Sequence, residues 1–367
     1  MIVSKLIGAK YYNTVGEARD EELSARDTEG HGTHTASTVA GIAVNNASML
    51  GLAKGTARGG VPSARIAVYK ICFPAGCSDA DILAAFDDAI ADGVDIISLS
   101  VGGSTPLDYF EDSIAIGAFH SMKNGILTSN SAGNDGPIPG SITNLSPWSL
   151  SVAASSIDRK FLTKIVLGNG ITYEVRNLNY YHLFDSDISR SIYCGSDSLD
   201  PALVQNKIVV CDNLLAPYTA AQSGASGIVI DGDFSFDDFA FSYPLPTTYL
   251  TSKDGNGVLT YINSTSTPSA NILKSYAPVD KAAPTVVSFS SRGPSKITPD
   301  VLKPDLTAPG VDILAAWSQG TTVTGDEVDT RVVTYLILSR GLPCLAPTPL
   351  EPLLTLNHST RLGPLRP

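Results

Sequence analysis

The chain has 367 residues, with 36 acidic against 25 basic side chains and a formal net charge of −11. With 43% hydrophobic and 17% charged residues it has ample material for a core, which excludes wholesale disorder. The acidic balance, without a long Lys/Arg run, argues against nucleic acid or a membrane as partner, and no apolar run approaches the roughly 18 residues of a spanning helix. The start, Met1-Ile2-Val3-Ser4-Lys5, lacks the apolar stretch and cleavage site of a signal peptide.

In chain order, Ala64–Cys72 reads as a strand. Ser78-Asp79-Ala80-Asp81 offers an N-cap with an acid three residues on, and the helix that follows puts Ile82, Phe86, Ala89 and Ile90 on one face before Gly93 stops it. Val94–Val101 is a nearly continuous apolar strand of the kind buried on both faces. A second helix carries Ile114, Ala118, Phe119 and Met122 and ends at Gly125, and Ile126-Leu127-Thr128 begins another strand. Strands alternating with helices imply an α/β fold, a parallel sheet with functional residues at the carboxyl ends of its strands. After about Asp158 the texture changes. Residues 165–275 show short β-like runs, many turns and an acidic-aromatic stretch, Asp231–Phe241, and read as a mostly β insertion. From Ala282 the α/β texture resumes with Val286-Val287-Ser288-Phe289.

There are five cysteines. Cys72 and Cys77 flank a turn-rich loop, and Cys194 and Cys211 flank the short apolar run Lys207-Ile208-Val209-Val210; both are disulfide candidates, the alternative being unrelated buried thiols. Asn-x-Ser/Thr sequons stand at Asn46, Asn144 and Asn263.

Three segments carry candidate chemistry. In Asp27-Thr28-Glu29-Gly30-His31-Gly32-Thr33-His34, glycines on both sides of His31 place it at the mouth of a small-residue helix, where an imidazole faces a cleft; a helix-start histidine without a role is the alternative. His31 and His34, three apart and without a third ligand at metal spacing, do not make a metal site, and His34 reads as packing. Thr128-Ser129-Asn130-Ser131-Ala132-Gly133-Asn134 ends a strand in small residues and presents the Asn134 amide where an oxyanion would be stabilised, although Asn-Asp-Gly-Pro is also an ordinary turn. Ser98-Leu99-Ser100-Val101-Gly102-Gly103 is a strand ending in glycines, suited to pairing with an extended peptide.

Together these segments resemble the subtilisin-like serine proteases, most closely the plant subtilases of the cucumisin-like kind. Tyr69-Lys70-Ile71-Cys72, Ser78–Ile90, Phe289-Ser290-Ser291-Arg292-Gly293-Pro294 and Leu302–Gly310 match the same pattern, and the likeness covers roughly residues 5–335. The insertion, with Val204–Cys211 and Gly224-Ala225-Ser226-Gly227, is similar to the protease-associated domain of that family. The resemblance implies a subtilisin-like parallel sheet flanked by helices in residues 1–160 and 280–335, interrupted by a protease-associated domain in 165–275. It also implies an extracellular serine endopeptidase acting on polypeptides without a cofactor. His31 would be the general base, Asn134 the oxyanion donor, Ser100, Val101 and Gly102 the substrate strand, and Ala132 and Gly133 the opposite wall.

Two triad members are missing from this pattern. The family's orienting Asp lies upstream of the part resembling Lys5–Asn13, and neither Asp20 nor Asp27 has its context. The nucleophile segment should follow Ala315-Ala316-Trp317-Ser318, but residues 336–367, with ten Leu and six Pro among 32, suit no packed element. Leu338–Pro349 (LSRGLPCLAPTP) has an encoding that, read from its third base, gives ISGTSMSCPHA, the family's nucleophile segment. The tail, with Cys344, is therefore expected to be a frame-shifted translation with its phase lost near 335–337. The expectation for the chain as it stands is negligible covalent proteolysis, the alternative function being that of a non-catalytic peptide-binding relative. A nucleotide-binding reading is disfavoured, because no strand is followed by G-x-G-x-x-G or a P-loop.

Overall fold

The computed structural model describes residues 5–16, 23–181, 183–190, 194, 199–233, 238–333 and 337–338. The expectations for Asp20, Cys344 and the tail beyond residue 338 lie outside these residues, as does the middle of the acidic-aromatic stretch.

The first part runs β1 (Leu6–Tyr11), α1 (His31–Ala40), the antiparallel hairpin β2 (Val44–Met49) and β3 (Leu52–Ala57), β4 (Ile66–Lys70), and the small hairpin β5 (Cys72–Phe73) and β6 (Gly76–Cys77). Then come α2 (Asp79–Ala91), β7 (Ile96–Leu99), α3 (Ser113–Lys123), β8 (Leu127–Ser131) and β9 (Leu150–Ser155). Ser78 caps α2 by accepting from the Asp81 amide at 3.2 Å. The reciprocal half of the expected capping box does not form. The buried Asp81 carboxylate instead accepts from the amide and the hydroxyl of Thr14, both at 2.7 Å, and so ties the loop after β1 to α2.

The second part forms a seven-stranded sheet from β10 (Leu162–Leu167), β11 (Thr172–Arg176), β12 (Leu183–Arg190), β13 (Ile208–Cys211), β14 (Gly227–Asp231), β15 (Thr247–Leu250) and β16 (Ser269–Ile272), in the order β11-β10-β16-β12-β13-β14-β15. Between these strands lie α4 (Pro201–Val204), α5 (Ala216–Gln222) and α6 (Ser252–Ser264). The insertion is thus less purely β than its turn-rich sequence implies. β12 through β15 are parallel, and crossovers between parallel strands supply the helices. Period-2 alternation sorts its core: Ile208, Val210 and Val229 pack with Val258 of α6, while Val209, Cys211, Ile228 and Ile230 pack with Ala216 and Ala220 of α5. Each large aliphatic side chain buried in this way contributes roughly 1.5–3 kcal/mol.

The chain then returns through β17 (Leu306–Pro309), β18 (Leu314–Ala315) and β19 (Ile337–Leu338). β17, β9, β8 and β7 form one all-parallel sheet in that order, and β1 pairs in parallel with β4. Ile97 and Leu99 pack with Ile82, Phe86 and Ile114 of α2 and α3, whereas Ile96 packs with Val39 and Ala40 of α1. Helices therefore cover both faces, as the apolar run of β7 requires.

Three local expectations are corrected. Phe119 and Met122 do not join the buried face of α3; they are exposed, and Phe119 stacks edge-on against Trp148 with ring centroids 5.2 Å apart. Ser98 is exposed within the strand expected to be buried on both faces. Val286–Phe289 is not a ladder strand and makes one isolated bridge, Ser155 to Val286. Val287 and Phe289 instead pack against Phe239 of the inserted sheet's loop.

Candidate active site

α1 begins at His31, and the geometry of that first turn is set by Asp27. The first amides of a helix have no partner within it. Here Asp27 Oδ1 accepts from the amides of Glu29 (3.0 Å) and Gly30 (2.7 Å), and Oδ2 from the amide (2.8 Å) and hydroxyl (2.6 Å) of Thr33. Burial pushes the Asp27 carboxyl up, but the Thr33 hydroxyl and these amides outweigh it and hold the group below the ordinary value. Asp27 is committed to capping.

Gly30 carries the turn into the helix with φ of 111°, a conformation that favours glycine. The next residue, His31, is half-buried, and its Nε2 is shielded from solvent without a hydrogen-bond partner among the described residues. Burial lowers its pKa below the ordinary 6.5, opposed by the charges of Glu29 and Asp27 and by the Ser100 backbone against the ring. The ring is therefore neutral at pH 7, the state in which an imidazole can take a proton. His34, one turn on, is buried; its Nε2 lies 3.1 Å from the Ile313 carbonyl and its ring meets Trp317 edge-on.

The contact between His31 and Ser100 joins α1 to the end of β7. Leu99 is paired with Asn130, so Ser100-Val101-Gly102 after β7 and Ala132-Gly133 after β8, which ends at Ser131, follow at the sheet's carboxyl edge. Gly133 (φ 103°) turns the second of these away, and its carbonyl accepts from the Ser291 amide at 3.0 Å. The Asp135 amide donates to Ser291 Oγ (3.0 Å) and the Gly136 amide to the Phe289 carbonyl (2.8 Å), so the loop bearing half-buried Asn134 is fastened to Phe289-Ser290-Ser291.

Several residues in this neighbourhood had no individual role in the sequence reading. Asn144 stood out only as a sequon. In the structure its Nδ2 donates to the Val101 and Ser131 carbonyls, both at 2.8 Å. Thr143 lies beside it, and Trp317 packs under Gly30. No local pattern signals such roles, because each depends on a partner more than ten residues away in sequence. The structure also bonds Cys72 to Cys77, across β5 and β6, and Cys194 to Cys211, within the core beside α5.

Comparison with known proteins adds the family. The subtilase family model matches residues 5–335. The chain belongs to the subtilase family. Among plant relatives of this subtilase, subtilisin-like protease SBT4.3 of Arabidopsis thaliana is 47% identical over 92% of the chain and 47% of its own length. Subtilisin-like protease SBT4.9 of the same organism is also 47% identical, over 92% of the chain and 44% of its own length. The subtilase chain therefore spans about half the length of the curated relatives it matches. Among solved structures, the prenylagaramide maturation protease PagA aligns at 21% identity over 40% of the chain and 46% of its own, with a TM-score of 0.27.

Proposed function

We propose that this subtilase presents the peptide cleft, general base and oxyanion donor of a subtilisin-like serine endopeptidase, with His31 as base and Asn134 as donor. Ser100, Val101 and Gly102 form the strand that a peptide substrate pairs with, and Ala132 and Gly133 the facing wall. The observation that carries this reading is the His31 ring against the Ser100 backbone, which brings a neutral imidazole to the end of the strand where a scissile carbonyl would lie. We read residues 165–275 as a protease-associated domain, on the resemblance of Val204–Cys211 and Gly224–Gly227, and the chain as a secreted one, which its two disulfides support.

The sequence shows no serine in the family's nucleophile context, and we read the chain as it stands as binding peptides rather than cleaving them by the covalent route. The frame-shift reading of residues 336–367 is supported by the family match, which stops at residue 335. A fluorophosphonate probe tests the proposal: no serine is labelled, while a fluorescent peptide binds saturably. Labelling of a serine in the purified chain overturns the non-hydrolytic part, and absence of peptide binding overturns the cleft. Sequencing the transcript across codons 335–337 tests the shift, since codons incompatible with the shifted reading would sink it.

A further inference from the structure

The β7–β8 ladder pairs residues as far as Leu99 with Asn130, and the two segments that wall the cleft follow it. A single side chain joins them. Asn144 is 3% exposed, and its Nδ2 donates to the Val101 carbonyl on one wall and the Ser131 carbonyl on the other, each at 2.8 Å. A primary amide has two N–H donors, and both are spent here. The backbone of the same segment joins in: the Thr143 amide donates to the Ala132 carbonyl at 3.1 Å, and the Ser151 hydroxyl donates to the Asn144 carbonyl.

The glycines of the two walls fit this arrangement. A Cβ on Gly102 would come within 3.1 Å of Asn144 Nδ2 and 3.3 Å of Thr143 Oγ1, and a Cβ on Gly133 within 2.8 Å of Ser291 Oγ and 2.9 Å of the Thr143 hydroxyl. Residues 143 and 144, with Ser291 on the Gly133 side, thus fill the space that wall side chains would otherwise occupy. From these contacts we infer that Asn144 is a positioning residue, which fixes the separation of the two cleft walls and with it the Ser100 backbone that meets His31. The inference rests on the peptide-cleft reading above. A carboxylate at this position would face two carbonyl oxygens without a proton to give either, so the isosteric Asn144→Asp loses both bonds and adds repulsion. The same engagement keeps the Asn144 sequon from acting as a glycan acceptor in the folded chain.

The test compares Asn144→Asp with Ile165→Val, a core change in the inserted sheet far in sequence from the cleft. Three quantities are read in the full chain: the dissociation constant of a fluorescent peptide, the melting temperature, and the His31 titration by NMR. Asn144→Asp weakens peptide binding at least tenfold and moves the His31 midpoint up towards 6.5 as the ring loses its packing. Ile165→Val lowers the melting temperature and changes neither of the other two. Should the Asp variant not fold, Asn144→Ser, which keeps one donor, gives the same directions with smaller size. A folded Asn144 variant with unchanged binding and unchanged His31 titration overturns the inference, as does an equal loss in Ile165→Val. If the wild-type chain binds no peptide, the cleft reading falls, while the His31 titration of wild type against variant still decides the role of Asn144.

Discussion

Gly30 sits so tightly over the indole of Trp317 that a Cβ built on it would lie 2.4 Å from the ring. Two residues nearly 290 apart in sequence therefore set the position of His31. Gly30→Ala meets both this overlap and the φ of 111°, and positive-φ strain alone costs about 1–3 kcal/mol. Urea denaturation should show a loss of at least that size. Trp317→Ala in the same chain should recover the steric part but not the backbone part, so the double-mutant cycle is non-additive. Additive losses would mean that the two residues do not meet.

The His31 imidazole titrates below 6.5, with burial as the main cause. Its folded pKa is therefore lower than its unfolded one, and the unfolded chain binds the proton more readily. The stability this contributes is fully present above pH 6.5 and is lost as pH falls through the folded value. A long-range ¹⁵N titration should place the midpoint below 6.5. Glu29→Gln, which removes the nearest favourable charge, should lower it further; a midpoint at or above 6.5 contradicts the account.

The inserted sheet is clamped to the chain after β17 by a buried ion pair. Arg176 Nη2 donates to Asp312 Oδ2 at 2.7 Å, the Ala240 amide donates to Oδ1 at 3.1 Å, and Arg159 Nη2 donates to the Asp312 carbonyl at 2.6 Å. Removing one member of a buried pair strands the other, at about 3–5 kcal/mol. Arg176→Met should show that loss in chemical denaturation. Combining it with Asp312→Leu should cost less than the sum of the two single changes, because Arg176 and Asp312 no longer strand each other.

The sequons at Asn46, Asn144 and Asn263 are not equivalent in the fold. Asn46 and Asn263 are exposed, whereas Asn144 is buried and bonded. When the chain is produced in a secretory host, peptide mass spectrometry after deglycosylation in heavy water should find modified Asn46 and Asn263 and unmodified Asn144 in the folded fraction. A glycan on Asn144 in folded material would contradict the geometry.

Much of the fold could be read from the residues. The cap at Ser78 and the spacing of Ile82, Phe86 and Ala89 located α2, and the apolar run around Ile208 located β13. Phe119 and Met122 misled because hydrophobic spacing does not say which side of a helix meets the core once Trp148 offers another surface. Val286–Phe289 has strand composition, but its partners are aromatic side chains rather than a ladder. At the site, His31 and Ser100 announced themselves through their glycines. Asn144 and Trp317 did not, since a brace or a floor is defined by what it touches across the chain and not by its neighbours in sequence.

β1 pairs along one edge with β4, and all six of its residues, Leu6–Tyr11, are exposed, Leu6 and Ile7 by more than half. A partly apolar strand with one sheet neighbour among the described residues is a template for a second chain, and natural sheets usually guard against it. Lys5 and Lys10 are the charges nearest to hand, and Lys10 is already drawn towards Asp88 and Asp92. Self-association at rising concentration should therefore involve this strand, against the opposing net charge of −11.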